Sequence, residues 1–274
     1  MANDTHRHAR QWPSQRRPGL VSLGLSAVGV MATAAVAVDY PSSVVGTDFD
    51  FIRGDDPSPF QALKFLGSTT AEMPDKRDDA ADLFQPAFLF EATFSDAVVK
   101  IFVDAGFAND RHAAEEARRY CGPLGRLPAP LRRGVRRLVV HRGGPDTTAF
   151  SDVGLIVVYS DNATRRIATH DLEETIFHES VHAAWDAEHA ASRGWRNAQL
   201  ADEAFVTVYA AKKPAREDLA ESALFAFAML RHPDRIDEPD RSAIAKRIPH
   251  RIAYIADLLS PGNDTPPEAP KPEE

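Results

Sequence analysis

The chain has 274 residues, and 43% of them are hydrophobic, which is enough to bury the core of one large domain or two small ones. Its formal charge of -8 argues against a surface that binds nucleic acid. The single cysteine, Cys121, excludes an intramolecular disulfide and is predicted to be a buried or inert thiol.

The N-terminal segment, residues 1–38, has the pattern of an export signal. Four arginines precede an uncharged stretch, residues 20–38, which contains the small-residue triplet Ala35-Val36-Ala37 near its end. The pattern predicts export to the periplasm or secretion. The stretch is also about long enough to span a bilayer, so an uncleaved membrane anchor formed by residues 20–38 stays open.

The remaining chain divides into three parts by composition. Residues 39–82 are rich in Asp, Pro, Gly and Ser, and we expect a loosely structured lead-in. Residues 83–259 contain the long apolar runs and helical patterns, and we expect them to form the folded domain. Residues 260–274 combine prolines with acidic residues, which predicts a disordered tail.

The first half of the predicted domain is mixed in character. Residues 83–107 are apolar and aromatic, and we expect one buried helix, or a helix and a strand, there. Residues 110–120 are predicted to form a helix that is stopped by Gly122-Pro123. Residues 135–140 and 153–159 are β-branched runs, which predict a hairpin or a looped pair of strands.

Three further helical patterns follow, and they complete the predicted fold. One begins after Asp171, one covers about residues 214–230 and one covers residues 241–259. We therefore predict an α+β fold with a small, mostly antiparallel sheet. The sheet should pack on the helix that follows Asp171, and the C-terminal part should be helical.

The most informative motif is a pair of histidines in the helix that follows Asp171. Asp171 is a good N-cap, and Glu174 stands where a capping-box partner belongs. His178 and His182 are four positions apart, so both imidazoles lie on one helical face and can share a Zn²⁺. Glu179 can take a proton from a zinc-bound water. The motif indicates the catalytic half of a zinc site.

A catalytic zinc needs a third protein ligand and an open position for water. Asp186 lies one turn past His182, but three side chains spaced four apart along a helix fan away from one another. Glu217 is the preferred candidate, because it opens the next helix and shares a face with Glu221. One carboxylate can bind zinc while the other hydrogen-bonds a ligating histidine. Which of the two glutamates is the ligand stays open.

The spacing of these residues resembles a known family. His178-Glu179-x-x-His182 followed by Tyr209-Ala-Ala-Lys-Lys-Pro-Ala-Arg-Glu217-Asp-Leu-Ala-Glu221 is similar to the gluzincin branch of the zincin metallopeptidases, in particular to lethal-factor-like peptidases. The resemblance covers residues 150–231 and implies a zincin-like fold. It also implies zinc ligands, a general base, a supporting carboxylate and an oxyanion donor, which would be His178, His182 and Glu217, then Glu179, Glu221 and Tyr209.

Two positions depart from that family pattern. Val181 stands where these peptidases usually have glycine. The spacing from Tyr209 to Glu217 is one residue longer than in the family, which bears on the role of Tyr209 and on the choice between Glu217 and Glu221.

The activity implied is the hydrolysis of peptide bonds in a peptide or protein substrate. An extended substrate could pair with an exposed sheet edge, for which residues 153–159 are the nearest candidate. Three alternatives stay open. The chain could be a zincin-fold binding or regulatory protein without turnover, a protein with a structural zinc site that uses Asp186 or His189, or a metal-free, membrane-anchored binding protein.

Overall fold

A mixed six-stranded sheet lies at the centre of the part of the chain that the structure describes. The structure is a computed structural model, and it describes residues 40–78 and 83–260. The strands are Phe60–Glu72 (β1), Phe84–Phe94 (β2), Val98–Asp104 (β3), Arg137–His141 (β4), Phe150–Asp152 (β5) and Leu155–Tyr159 (β6). Their order is β1-β2-β3-β4-β6-β5, so that β1 and β5 are the edge strands.

The central strands β4 and β6 are buried on both faces. Successive side chains of a strand point to opposite faces of the sheet. In β6, accordingly, Ile156 and Val158 belong to the large core under the helices, whereas Leu155 and Val157 belong to a smaller cluster on the other face. Burial on both faces explains why these strands appear in the sequence as continuous apolar runs.

The helices lie in two places along the described chain, three of them between β3 and β4 and the others after β6. They are Asp110–Arg118 (α1), Cys121–Arg126 (α2), Ala129–Gly134 (α3), Ser160–Ala168 (α4), Leu172–Trp185 (α5), Arg193–Asp202 (α6), Val208–Lys212 (α7), Asp218–Arg231 (α8), Glu238–Arg247 (α9) and Pro249–Leu258 (α10). Helix α5 contacts the sheet through β5 and β6, and it packs against α3 and α8. The predicted α+β class and the helical C-terminal part are confirmed.

The predicted strands need three corrections. The predicted lead-in, residues 39–82, contains β1, which pairs with β2 along its length. The sequence of β1 is partly polar and contains a glycine, so its pairing with β2, rather than a periodic pattern of its own, stabilises it as a strand. Residues 83–107 form two strands and a short 3₁₀ turn instead of a buried helix, since Val99, Ile101 and Val103 are the buried alternate residues of β3. Short apolar runs leave this choice open in a sequence.

The third correction concerns the predicted hairpin, whereas the sheet as a whole is mixed, with antiparallel pairing in three of its five strand pairs. Strands β4 and β6, the predicted hairpin, are parallel neighbours, and β3 is parallel to β4, whereas the pairs β1-β2, β2-β3 and β5-β6 are antiparallel. The loop after β4 contains the short strand β5, which reverses direction and pairs with β6. This extra strand makes the parallel arrangement possible, because a two-residue turn can join only antiparallel strands.

Two predicted helix ends also differ. Helix α1 ends at Arg118, but Gly122-Pro123 lies inside the short helix α2, where proline occupies the first turn and needs no backbone donor. The predicted helix over residues 241–259 is two helices, α9 and α10, which meet at Ile248 and Pro249. Proline favours the first position of a new helix.

Two of the sequence predictions concern parts of the chain outside the described residues. The predicted export signal, residues 1–38, is one, and the predicted disordered tail beyond residue 260 is the other. Among the residues that the structure does describe, no helix combines the length and apolar character that a bilayer span requires.

The predicted capping box at the start of α5 does not form. The Asp171 carboxylate accepts hydrogen bonds from Arg166 and Thr169 instead of capping the helix (2.9 Å each). Glu174 is buried and accepts a hydrogen bond from the backbone N–H of Ile52 at 2.9 Å. Burial raises the pKa of Glu174 to about 8, against the opposing effect of that hydrogen bond.

We expect Glu174→Gln to stabilise the protein above pH 8. A carboxyl group whose pKa is higher in the folded state contributes stability below its unfolded value of 4.5, and this contribution is lost as pH rises towards about 8. Glutamine keeps an acceptor for Ile52 and carries no charge, so the gain at alkaline pH is at most about 5 kcal/mol. Urea unfolding at pH 5 and pH 8.5 measures it. Glu188→Gln, at an exposed site, is the control, and equal gains at both pH values would contradict the prediction.

Candidate metal centre

Helix α5 brings the two histidines together on one buried face. The Nε2 atoms of His178 and His182 lie 3.2 Å apart. The two side chains are 10% and 11% exposed, and both line the same cavity. The four-residue spacing seen in the sequence thus produces a close pair of imidazole nitrogens that are largely shielded from bulk water.

Glu217 completes a triangle of donor atoms. It is the N-cap residue of α8, which packs against α5, and its side chain is 6% exposed. Its Oε2 atom lies 3.4 Å from His178 Nε2 and 3.3 Å from His182 Nε2. Two nitrogens from one helix and one oxygen from the start of another helix therefore lie at almost equal distances from one another.

The dimensions of this triangle fit a tetrahedral zinc ion. Zinc bonds of about 2.0–2.2 Å at the tetrahedral angle place neighbouring ligand atoms about 3.3–3.6 Å apart. The three edges measure 3.2, 3.3 and 3.4 Å. Among the described residues, these three form the single group of metal-binding side chains of this kind, so a fourth position would remain for water.

A carboxylate lies behind His182. Asp186 Oδ2 lies 2.7 Å from His182 Nδ1, at the point where α5 continues into a π-helical turn, Asp186–Ala190. Such a contact fixes the ring so that Nε2 is free for a metal. Asp186 was a candidate ligand in the sequence, and its supporting role was not predicted, although its four-residue spacing from His182 was the signal for it.

The charges of these side chains depend on one another. Burial by itself lowers the pKa of His182, but its contacts with Asp186 and Glu217 outweigh burial and raise the pKa to about 10. Burial raises the pKa of Glu217, yet the hydrogen bonds from His178 and His182 hold it well below its usual range. The cluster is therefore strongly biased towards an ionised Glu217, the form that binds metal.

Glu221 lies behind the other histidine. Its Oε1 atom is 3.4 Å from His178 Nδ1, an ionic contact rather than a well-formed hydrogen bond. The fully buried carboxylate accepts hydrogen bonds from the Ser43 backbone N–H (2.7 Å) and from the hydroxyls of Ser42 and Ser43 (3.1 Å each). The Glu217 carboxylate therefore lies beside the Nε2 atoms of both histidines, whereas the Glu221 carboxylate lies beside Nδ1 of His178.

The serines belong to a segment that runs beside the site. The carbonyl oxygens of Tyr40 and Pro41 accept hydrogen bonds from the N–H groups of Val208 and Tyr209 at 2.8 and 3.1 Å. This holds the segment against the start of α7. Ser42 and Ser43 could not be predicted from the sequence, because their contacts with Glu221 join positions almost 180 residues apart and no local pattern indicates them.

Tyr209 lies in α7 and lines the same cavity as His178, His182 and Glu217. Lys213 Nζ donates a hydrogen bond to its hydroxyl at 3.1 Å and lies 4.7 Å from the ring centre. Burial raises the pKa of Tyr209, Lys213 opposes the rise, and Glu217 adds to it. Tyr209 therefore keeps its proton at neutral pH and can act as a hydrogen-bond donor.

Glu179 faces the cavity and is tied to the edge strand. Its Oε2 atom accepts a hydrogen bond from Ser151 Oγ at 2.7 Å, and Ser151 lies in β5. The turn after β5 is fixed to α5, because Gly154 N–H donates to Ala183 O at 2.8 Å; Gly154 has φ 70°, which glycine adopts without strain. The contact of Ser151 with Glu179 was not predicted from the sequence.

The cavity has a volume of about 800 Å³ and is bordered by the edge strand. Residues 153–159 were the predicted edge, but β6 lies between β4 and β5 and is wholly buried. The edge strand at this end of the sheet is β5, and all three of its residues line the cavity. The edge strand and Glu179 thus border one cavity together with the three donor atoms.

The alternative zinc ligands have other partners. Asp186 contacts His182 through Oδ2, and His189 Nδ1 lies 2.9 Å from the hydroxyl of Tyr254. Within the described residues, neither belongs to the cluster of three donor atoms. The geometry therefore favours a three-ligand arrangement over a four-ligand structural site.

Comparisons of the chain with protein-family models, with curated proteins and with solved structures find no match. Any function must accordingly be argued from the geometry and chemistry of the cluster itself.

Proposed function

We propose that the protein is a zinc-dependent peptidase in which His178, His182 and Glu217 hold the metal. The observation that carries the proposal is the triangle of donor atoms, whose edges of 3.2–3.4 Å match a tetrahedral zinc site. The cavity beside it leaves room for water and substrate. A carboxylate next to each histidine adds support, because such groups orient zinc ligands.

The residues around the cavity suit hydrolysis. When bound, the ion supplies a Lewis acid that lowers the pKa of water and polarises a carbonyl group. Glu179 then takes the proton of the attacking water and delivers it to the leaving amine. Tyr209 donates a hydrogen bond to the developing oxyanion. Asp186 and Glu221 hold the imidazoles in position.

The free edge of β5 is the proposed place for the substrate backbone. An extended peptide can add to a sheet edge through main-chain hydrogen bonds. Strand β5 lines the cavity, and the Ser151 side chain contacts the proposed base. A peptide paired with β5 would therefore pass beside Glu179.

We further propose that the fold is zincin-like and that the protein works outside the cytoplasm. The first proposal is supported by the order of edge strand, His-Glu-x-x-His helix and glutamate-bearing helix along the chain. The second is supported by the sequence pattern of residues 1–38, with anchoring by residues 20–38 as the alternative.

The first test is the metal content of the purified protein together with its activity on a mixed peptide library. We expect about one zinc per chain and cleavage that stops with a chelator and returns with added zinc. Elemental analysis of the protein measures the zinc content, and mass spectrometry of the peptides measures the cleavage. Zinc without cleavage would favour the alternative, a non-catalytic binding or regulatory protein, and protein without zinc affinity would contradict the proposal.

A further inference from the structure

Four cationic side chains line the cavity beside the three donor atoms; one of them, Arg166, pairs with Asp171 at 2.9 Å, and the other three form a separate group. Lys76 lies on the side of β5, whereas Lys213 and Arg216 lie between α7 and α8, near Tyr209 and Glu217. All three residues are exposed. We call Lys76, Lys213 and Arg216 the basic rim. Its presence is notable in a chain whose formal charge is -8.

The basic rim is only partly paired with acidic side chains. Among the described residues, no carboxylate lies within ion-pair distance of Lys76 or Lys213, and Arg216 contacts Glu217, at 3.5 Å. Partial burial of the Lys76 ammonium group and the nearby charge of Arg216 lower the pKa of Lys76, and the charge of Glu179 opposes this change. Within the described chain, Lys76 and Lys213 thus each bring to the cavity a positive charge that no direct ion pair offsets.

The acidic groups of the cavity are already engaged. Glu217, Glu221 and Asp186 lie against the two histidines, and Glu179 accepts the Ser151 hydrogen bond. The one remaining acid that lines the cavity is Asp152. Among the acids that line the cavity, Asp152 and Glu179 thus lie outside the donor group and its two supporting carboxylates, and within the described residues neither lies within ion-pair distance of the basic rim.

Both lysines are held in place by the protein. Lys76 Nζ donates to Thr148 Oγ1 at 2.9 Å and to Ala149 O at 3.2 Å, and Lys213 Nζ donates to Tyr209. An ammonium group has three donor hydrogens. Each lysine therefore keeps at least one hydrogen for a ligand, and little side-chain entropy remains to be lost when the ligand binds.

We propose that the basic rim binds a carboxylate of the substrate, so that the preferred substrates are peptides with an acidic side chain or a free C-terminus near the cleaved bond. This inference rests on the proposed function, because it assigns a substrate class to the same cavity. Carboxylates accept hydrogen bonds from ammonium and guanidinium groups, and such charge-assisted bonds are strong when the donors are fixed.

The test compares peptide libraries that differ only in charge. One library carries a glutamate at a single fixed position among random residues, a second carries glutamine there, and each is made with a free or an amidated C-terminus. Cleavage by the zinc-loaded wild-type protein is measured by mass spectrometry. Binding of the same labelled libraries to chelator-treated protein is measured by fluorescence anisotropy. We expect a preference of about five- to tenfold for the carboxylate in both measurements. Two or three exposed charge contacts contribute a free energy of about that size.

Single variants locate the effect. Lys76→Gln keeps a donor for Thr148 but loses the charge, and Arg216→Gln removes charge from the opposite side. Each should reduce the preference at least twofold, and Lys212→Gln, an exposed neighbour that does not line the cavity, should leave it unchanged. High salt should also reduce the preference. Zinc content is checked in every variant, since Arg216 contacts Glu217.

The two arms separate the possible results. Dependence on the free C-terminus alone identifies a terminal carboxylate as the ligand, and dependence on the internal glutamate identifies a side chain. Equal cleavage and binding of all four libraries, with no dependence on the internal glutamate or on the free C-terminus, would overturn the inference while leaving the peptidase intact. Carboxylate-dependent binding without zinc or cleavage would support the basic rim and contradict the proposed function.

Discussion

Protein carrying Glu217→Ala is expected to bind zinc more than about a hundredfold more weakly than the wild type and to lose hydrolysis with it. The substitution removes the oxygen that lies 3.3–3.4 Å from both Nε2 atoms. Two histidines are too few protein ligands for a catalytic zinc. Competition with a chromophoric chelator at neutral pH measures the affinity.

Glu221→Gln is the informative comparison for this experiment. Glutamine keeps the size of the side chain and an acceptor for Ser43, but it removes the charge beside His178. Loss of a group that supports a ligand costs about 10–100-fold in metal affinity, so this variant should retain zinc at higher concentrations. Glu188→Ala, at an exposed site, should behave as the wild type. A larger effect at Glu221 than at Glu217 would reverse the roles that we assign to them.

The group of three donor atoms could be predicted where its geometry is local. A four-residue separation places His178 and His182 on one face of any helix, and the same rule pairs Glu217 with Glu221. What the spacing leaves open is which glutamate approaches the histidines. That depends on how α8 packs on α5, a long-range contact that in this structure turns the N-cap residue Glu217 towards both Nε2 atoms.

The supporting groups were harder to predict, because several come from distant parts of the chain. Ser42 and Ser43 approach Glu221 only after the chain has folded, and Ser151 approaches Glu179 from the edge strand. Single serines carry no pattern in a sequence. Asp186 differs from them, because its distance from His182 is fixed by the helix, and the supporting role could have been inferred.

The sheet was predicted in composition but not in topology. The β-branched runs that become β4 and β6 were found, since buried strands are rich in such residues. Their parallel pairing follows from the three-residue strand β5, which is too short to give a periodic signal. The correction matters for function, because it moves the free edge from residues 153–159 to β5, next to Glu179.

Glu179→Gln is expected to lower the rate of peptide hydrolysis by about 10²–10⁴-fold, which is the usual contribution of a general base. Glutamine has nearly the same shape and can still accept the hydrogen bond of Ser151, but it cannot take a proton from water. Glu179 is not one of the three atoms of the metal triangle, so zinc affinity should stay within about twofold of the wild type. Cleavage of a peptide selected from the library and chelator competition measure the two quantities on the same sample.

Ser151→Ala is the matched variant for the Glu179 experiment, because it leaves the carboxylate in place and removes its 2.7 Å contact with β5. If the hydrogen bond only positions the base, the loss of rate should be smaller than in Glu179→Gln, at about three- to tenfold. Full activity of Glu179→Gln would exclude Glu179 as the base. Loss of zinc in that variant would instead show that the carboxylate holds the cluster together, and the proton would then need another acceptor among the residues that line the cavity.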